Sequence, residues 1–308
     1  MLLTGSGTLA VEAMLTSLVP RGSRLLVLEN GVYGERLSEI ARIHRIRSTP
    51  IRAGWGEPVP LARVAEALAR TPHATHLAVV HHETTTGRLN ALAPIAALSR
   101  ERGVGLLVDA VSSFGAEELA FADWAPLACA GTAAKCLHGA PGLAFVIAQR
   151  AALARPCVPP RTLYLDLARH AEQQEQGSTL FTPGVPAFQA LAEALAEHAE
   201  RGGWRARRAR CAELAERIAA ELAALGVEPQ LPASESSVVL RSYRLPPGIR
   251  YAELHAELRK RGFVIYAGQG RLHEQLFRIS TLGEISDADV RRLARAFREI
   301  LPPGRTCV

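Results

Sequence analysis

The chain has 308 residues, 48% of them hydrophobic and 21% charged, with a formal net charge of +6. That length and balance fit one large domain with a smaller one and exclude a disordered or low-complexity chain. Five cysteines (Cys129, Cys136, Cys157, Cys211 and Cys307), odd in number and without paired CxxC spacing, speak against a disulfide framework or a zinc site; no apolar run is long enough to span a membrane, so the expected setting is a reducing cytoplasm.

The basic excess is nearly all arginine, and Lys135 and Lys260 are the only lysines. The arginines are scattered over helical patterns, densest from Trp204 to Arg210, with no block of like charge and no nucleic-acid motif. Neither a nucleic-acid nor a membrane partner is therefore expected.

In chain order, Gly5-Ser6-Gly7-Thr8 opens a helix over 6–19. Small residues there expose backbone N–H groups to an anion such as phosphate, although Ser and Thr also serve as plain helix caps. A strand over 24–28 runs into the turn Asn30-Gly31-Val32-Tyr33-Gly34 and a helix through 46, then a strand over 47–52 and a helix over 60–70. His76 to Val80 reads as a buried strand carrying His81-His82-Glu83-Thr84-Thr85-Thr86-Gly87 at its tip. Adjacent histidines on an extended segment point to opposite faces, and no carboxylate or cysteine spacing supports a metal there.

A helix over 92–102 precedes Leu106-Leu107-Val108-Asp109, an apolar run that ends in a carboxylate. It reads as a buried parallel strand with the acid at its C-terminal tip, where open α/β sheets place ligands. A cap for the following turn is the other reading of Asp109. Next comes Lys135, set among Ala, Gly, Leu and Cys. An ammonium in such company is expected to be poorly solvated, which favours its neutral form and lets it attack a carbonyl to form a Schiff base. A solvated lysine at a strand end is the alternative.

A strand over 143–147, a helix over 162–175, a loop over 177–186 and an Ala-rich helical region over 187–225, broken at Gly202-Gly203, follow. The remainder alternates strands (236–241, 263–266, 276–280) with helices (251–261, 287–300), the last capped by Ser286 with Asp289 at the capping-box position. Phe277-Arg278-Ile279-Ser280 puts a guanidinium inside a short strand, where it could clamp a carboxylate or phosphonate. An anion cup, a strand-tip acid, a poised lysine and a distal arginine together suit pyridoxal 5'-phosphate (PLP), which needs a lysine and an acidic partner for its ring nitrogen.

Seven segments carry a resemblance to a known family: LLTGSGTLAVEAM, NGVYGERL, HHETTTGRLNAL, LLVDAVSSFGA, AGTAAKCLHGAPGLAFVI, FTPGVPAFQAL and FRISTLGEI, spread over the chain in order. The sequence resembles the class V aminotransferases of PLP fold type I, and HETTTG with KCLxGxPG points to the phosphonate branch. The resemblance implies an α/β fold: a large PLP-binding domain over 1–200 with a mostly parallel seven-stranded sheet, and a small α/β domain over 201–308. It implies an enzyme that moves the amino group of 2-aminoethylphosphonate to pyruvate, giving phosphonoacetaldehyde and alanine. Alanine–glyoxylate-type or other class V chemistry, or an inactive PLP-fold relic, remain the alternatives.

Residue by residue, the resemblance implies Lys135 as the catalytic lysine and Asp109 as the partner of the ring nitrogen. Ser6, Gly7, Thr8 and Thr132 would hold the phosphate, Tyr33 would stack on the ring, and Thr84, with Thr85 as second choice, would bond its phenolic oxygen. Thr182 would reach the phosphate of a partner subunit, which implies a homodimer with shared sites, and Arg278 would bind the substrate anion. Two positions depart from the branch: Ala134 stands where Asn is common before the lysine, and His138 where a Glu follows Cys-Leu. Met1 lies almost on the Gly5–Thr8 motif, before which family members carry several tens of residues, so the resemblance implies a truncated product, a mis-assigned start or a shortened variant.

Overall fold

The computed structural model describes residues 1–154 and 159–301; Cys157 and Cys307 lie outside them. The first 148 residues build the larger layer. Strands β1 (Leu2–Thr4), β2 (Arg24–Glu29), β3 (Arg47–Arg52), β4 (Ala74–Val80), the small hairpin β5 (His82–Glu83) and β6 (Arg88–Leu89), β7 (Gly105–Asp109), β8 (Ala128–Thr132) and β9 (Leu143–Ala148) alternate with helices α1 (Gly7–Leu18), α2 (Val32–Ile43), α3 (Leu61–Arg70), α4 (Leu92–Glu101) and the short α5 (Phe121–Trp124). Seven strands form one sheet in the order β1-β9-β8-β7-β4-β2-β3. Only β9 runs against the others, antiparallel to both β8 and β1.

The near-continuous apolar runs of β2, β4 and β7 reflect helices on both faces. Alternate residues go to opposite cores. Leu25, Val27, Ala78, Val80 and Leu107 pack with α1 and α2. Leu26, Leu28, Leu77, Val79, Leu106 and Val108 pack with α3 and α4. Helix α1 buries Ala10, Val11, Ala13, Met14, Leu15 and Leu18, and is apolar around most of its girth for that reason.

Short α6 (Arg150–Leu153), α7 (Leu167–Glu175), α8 (Val185–Glu200) and α9 (Gly203–Ala223) lead to the second layer. Its three-stranded antiparallel sheet, β10 (Leu240–Arg244), β12 (Leu276–Ser280) and β11 (Tyr266–Ala267), is covered by α9, α10 (Tyr251–Lys260) and α11 (Asp287–Ile300). Leu214, Ile218, Tyr243, Leu258, Phe277, Val290 and Phe297 close that core. Burial of a ring such as Phe277 contributes about 1.5–3 kcal/mol. No helix among the described residues is long and apolar enough to cross a membrane.

Several expected elements differ. The helix expected over 162–175 begins at Leu167, because the Asp166 carboxylate accepts from the N–H groups of Ala168 and Arg169 and caps it there. The strand expected over 236–241 is displaced to Leu240–Arg244. The buried Glu117 carboxylate instead takes the Ser237 hydroxyl (2.6 Å) and the Val238 N–H (2.9 Å), and Ser237 N–H goes to Gly87 O (2.8 Å). The strand expected over 263–266 is only Tyr266–Ala267, and β1 was not foreseen. The Ser286–Asp289 capping box is present with both bonds, and the break at Gly202-Gly203 separates α8 from α9.

Candidate active site

The C-terminal ends of β4, β7 and β8 and the N-termini of α1 and α2 meet at one edge of the large sheet, where an open α/β sheet receives a ligand. Asp109 ends β7 opposite Ala130 of β8, and its carbonyl accepts the His81 N–H that follows β4. Its carboxylate is 7% exposed and takes one hydrogen bond, from Val111 N–H at 2.9 Å. Burial pushes its pKa up to about 6, with nearby Glu83 adding to the rise and Arg36 opposing it.

Glu83 is wholly buried and was not singled out by sequence reasoning. Its carboxylate accepts from the N–H groups of Tyr33 (3.2 Å), Gly34 (3.1 Å) and Thr85 (3.1 Å), and from the Thr85 hydroxyl (2.6 Å). An anion on the first turn of α2 also meets the positive end of that helix. Gly31 is required here, since a Cβ would lie 2.4 Å from the Glu83 carboxyl carbon. The pinned turn holds Tyr33 half-buried at the site, its hydroxyl 3.3 Å from Gln269 Nε2. The signal in the sequence was a carboxylate inside a hydroxyl-rich strand tip.

At α1, Ser6 is the N-cap but makes no side-chain cap bond, and Ser6 and Thr8 are exposed. The leading N–H groups of a helix have no intrahelical acceptor and face outward. Buried Gly7 lets α1 close on the turn after Asp109; a Cβ there would stand 2.5 Å from Val111. Arg36, one turn beyond Tyr33, reaches Thr8 Oγ1 at 3.4 Å and lies over the Tyr33 ring, 4.5 Å from its centroid. It too was missed, although its three-residue spacing from Tyr33 places both on one helix face.

Lys135 sits in the turn directly after β8. The expectation of a poorly solvated ammonium is corrected: Lys135 is exposed, because its neighbours Ala133, Ala134 and Gly139 are too small to cover it. Its charge nonetheless reaches His82. His138, which departs from the phosphonate branch, has a left-handed backbone (φ 60°) and accepts the Gly283 N–H at 3.2 Å. Its pKa is lowered by burial and by Arg207. Thr132 is buried, and its hydroxyl donates to Leu143 O at 3.0 Å. That spends its proton inside the sheet and leaves only lone pairs toward any anion. Cys129 and Cys136 are wholly buried, with thiol pKa values pushed up by burial, as apolar fillers would be.

His81 and His82 part as adjacent residues on a strand should. His81 Nδ1 meets Ser113 Oγ at 3.0 Å and His82 Nδ1 meets Ser112 O at 2.9 Å. A carbonyl only accepts, so the His82 proton is on Nδ1 and Nε2 is a bare acceptor, buried without a partner among the described residues. Burial lowers the two pKa values to about 3 for His81 and about 4 for His82, so both are neutral at neutral pH.

Arg278 of β12 projects from the C-terminal layer to this edge. It is half-buried, donates to Ala267 O and Thr84 O, both at 2.8 Å, and has no carboxylate partner among the described residues. Burial lowers its pKa. The Thr84 hydroxyl is left without a partner among the described residues, whereas Thr85 is committed to Glu83 and to Val32 N–H (2.9 Å). Thr182 is exposed in the loop before α8, and no hydrogen bond joins it to the site among the described residues. Ser6, Gly7, Thr8, Tyr33, Thr84, Asp109 and Arg278 thus share one edge with the Lys135 turn, and Thr182 stands apart.

The class V aminotransferase family model matches residues 3–271. The chain belongs to the class V aminotransferases. Among relatives of this aminotransferase is a 2-aminoethylphosphonate–pyruvate transaminase of Pseudomonas aeruginosa, 36% identical over 97% of this chain and 81% of that one. A transaminase of the same name from Aeromonas hydrophila is 39% identical over 95% and 78%. Among solved structures, a subgroup IV aspartate aminotransferase of Thermus thermophilus superposes with a TM-score of 0.87 at 32% identity, over 98% of this chain and 84% of that one. An alanine–glyoxylate aminotransferase of Nostoc sp. does so with a TM-score of 0.91 at 25% identity, over 98% and 81%.

This aminotransferase is a fold type I enzyme and its cofactor is pyridoxal 5'-phosphate. The residues present fit that group. An uncapped helix N-terminus suits a phosphate, a buried acid with one hydrogen bond suits a protonated ring nitrogen, and an open lysine lies in the turn after the next strand.

Proposed function

We propose that this enzyme transfers the amino group of 2-aminoethylphosphonate to pyruvate, giving phosphonoacetaldehyde and alanine. The observation that carries the reading is the set of relatives named for that reaction, 34–39% identical along nearly the whole chain. Arg278 supports it: a half-buried guanidinium without a carboxylate partner among the described residues suits a substrate anion, phosphonate in one half-reaction and carboxylate in the other.

Bound pyridoxal phosphate supplies a carbonyl that takes up amines and a ring that withdraws electrons from the carbon beside them. Lys135 Nζ would hold the cofactor, and as a free amine would move the proton at the amine-bearing carbon of the substrate. The Asp109 carboxylate would pair with the ring nitrogen and hold a proton there, and a cation at that place would in turn favour the ionised acid. Tyr33 would stack on the ring and the Thr84 hydroxyl would donate to the phenolic oxygen. The N–H groups of Gly7 and Thr8 and the hydroxyls of Ser6 and Thr8 would hold the phosphate; Thr132 would join them only if its hydroxyl left the Leu143 carbonyl.

The proposal includes a division into a cofactor domain over 1–200 and a smaller domain over 201–308, and a cytoplasmic homodimer in which Thr182 serves the partner's site. Exposed Leu163, Tyr164 and Val185 surround the Thr182 loop and suit such an interface. Sedimentation would read it as twice the chain mass.

The deciding experiment is the visible spectrum of the purified protein with pyridoxal phosphate, before and after 2-aminoethylphosphonate. A cofactor band that bleaches to the amine form with the phosphonate, and never forms in Lys135→Ala, is the expected result. A band that ignores the phosphonate and answers alanine would overturn the substrate and turn the reading to alanine–glyoxylate chemistry. No band in the native protein would favour the inactive relic.

A further inference from the structure

We propose that Arg36 is a ligand of the cofactor phosphate, the cation that neutralises the dianion at the N-terminus of α1. The inference rests on the reading of this edge as a pyridoxal phosphate site and adds a residue to it.

The argument begins with charge. A phosphate monoester carries about −1.5 to −2 at neutral pH, while a helix N-terminus offers only about half a positive charge. Two buried acids, Asp109 and Glu83, lie at the same edge and repel an incoming anion. Lys135 is the anchoring amine, and Arg278 already donates to the Thr84 and Ala267 carbonyls. Arg36 is the remaining cation in contact with the cup, 3.4 Å from the Thr8 hydroxyl, and has no carboxylate partner among the described residues.

Its placement is fixed from the other side. Glu83 pins the first turn of α2 through the Tyr33 and Gly34 N–H groups, which sets where Arg36 emerges on the next turn. The guanidinium rests on the Tyr33 ring, 4.5 Å from its centroid, a contact that an anion can recruit it from without breaking an ion pair. Its charge also reaches Asp109, where it opposes the effect of burial. A competing role is therefore to keep Asp109 ionised for the ring nitrogen. The two roles separate cleanly, because pyridoxal has the ring nitrogen and lacks the phosphate.

The test strips the full-length protein of cofactor and titrates the native chain, Arg36→Gln and Arg36→Met with pyridoxal phosphate and, separately, with pyridoxal, following the visible band. Met keeps an apolar stem on Tyr33 should Gln disturb the fold, and thermal melts report on folding. Loss of one charge-assisted pair predicts pyridoxal phosphate affinity about ten- to a hundredfold weaker in both variants, with pyridoxal affinity changed less than about twofold. Inorganic phosphate should tighten pyridoxal binding by the native chain and not by the variants. Equal losses for the two compounds would overturn the proposal and give Arg36 to the ring nitrogen or the fold. Unchanged affinity for both would overturn it as well. A native chain that takes up neither compound would overturn the cofactor reading itself, and the proposal with it.

Discussion

Asp109 ends β7 and Lys135 sits in the turn after the neighbouring parallel strand β8, and the fold treats their charges in opposite ways. Asp109 is buried with a single hydrogen bond, and its pKa rises to about 6. Lys135 is exposed on a turn whose alanines and glycine cannot cover it. An acid built into the interior costs the cofactor-free protein stability, and an amine held in the open costs it nothing. The contrast separates a residue whose charge is prepaid by folding from one placed for reach.

The largest effect is expected at the open end. Lys135→Ala should lower transamination by about a thousandfold or more, since both the anchor and the proton carrier go. Its unfolding free energy should stay within about 0.5 kcal/mol of the native value, as for other exposed substitutions. Chemical denaturation read beside a rate assay checks both. A stability loss of several kcal/mol would show that Lys135 is part of the packing and would break the contrast.

Asp109→Asn should act on the other side of it. The folded pKa, about 6, lies above the ordinary aspartate value of 3.8. Between those values the folded state keeps a proton that the unfolded state has released, so stability falls as pH rises through that window. The accumulated cost at pH 7 is about 3 kcal/mol. The cofactor-free variant should therefore exceed the native protein by up to about that amount at pH 7 and by little at pH 3.5, while losing activity. Urea unfolding at the two pH values measures it. A difference that ignores pH would mean that the acid is not held out of water.

Burial raises the pKa of Glu83 as it does that of Asp109, but at Glu83 the hydrogen bonds from Thr85, Gly34 and Tyr33 oppose the rise. Glu83 is as buried as Asp109, but it accepts four hydrogen bonds where Asp109 accepts one. Glu83→Gln turns an NH₂ group toward some of those donors, and should cost about 2 kcal/mol at pH 7. Opposite signs for Glu83→Gln and Asp109→Asn in the same unfolding assay would sharpen the contrast, and like signs would erase it.

What was legible in the sequence follows the range of the forces involved. The apolar run ending at Asp109, the capping box at Ser286 and the break at Gly202-Gly203 are local patterns, and each is found where it was read. Glu83 was hidden because its bonds run to Tyr33 and Gly34, about fifty positions earlier. The strand expected over 236–241 slipped because Glu117, some 120 positions upstream, takes the Ser237 hydroxyl and the Val238 N–H. Three residues of β1 form a strand only because β9 lies beside them. Solvation of Lys135 was misjudged for a related reason: small apolar neighbours suggest an apolar pocket, yet what matters is whether they are large enough to close it.

Thr132 lies between the two ends of the contrast, on β8 ahead of Lys135, and carries the smallest expected effect. Its hydroxyl donates to the Leu143 carbonyl at 3.0 Å within the β8–β9 pair. Thr132→Val keeps the shape and removes that hydrogen bond, leaving the Leu143 carbonyl with the Ala133 N–H at 3.0 Å, which should cost about 1 kcal/mol in the cofactor-free protein. If the proton stays with Leu143 when the cofactor binds, affinity for pyridoxal phosphate should change less than about threefold, because only lone pairs faced the phosphate. A tenfold loss confined to pyridoxal phosphate, with pyridoxal unaffected, would show that the hydroxyl turns from the strand to the anion on binding. The site would then contain a donor that the fold lends out, a third case beside the buried acid and the open lysine.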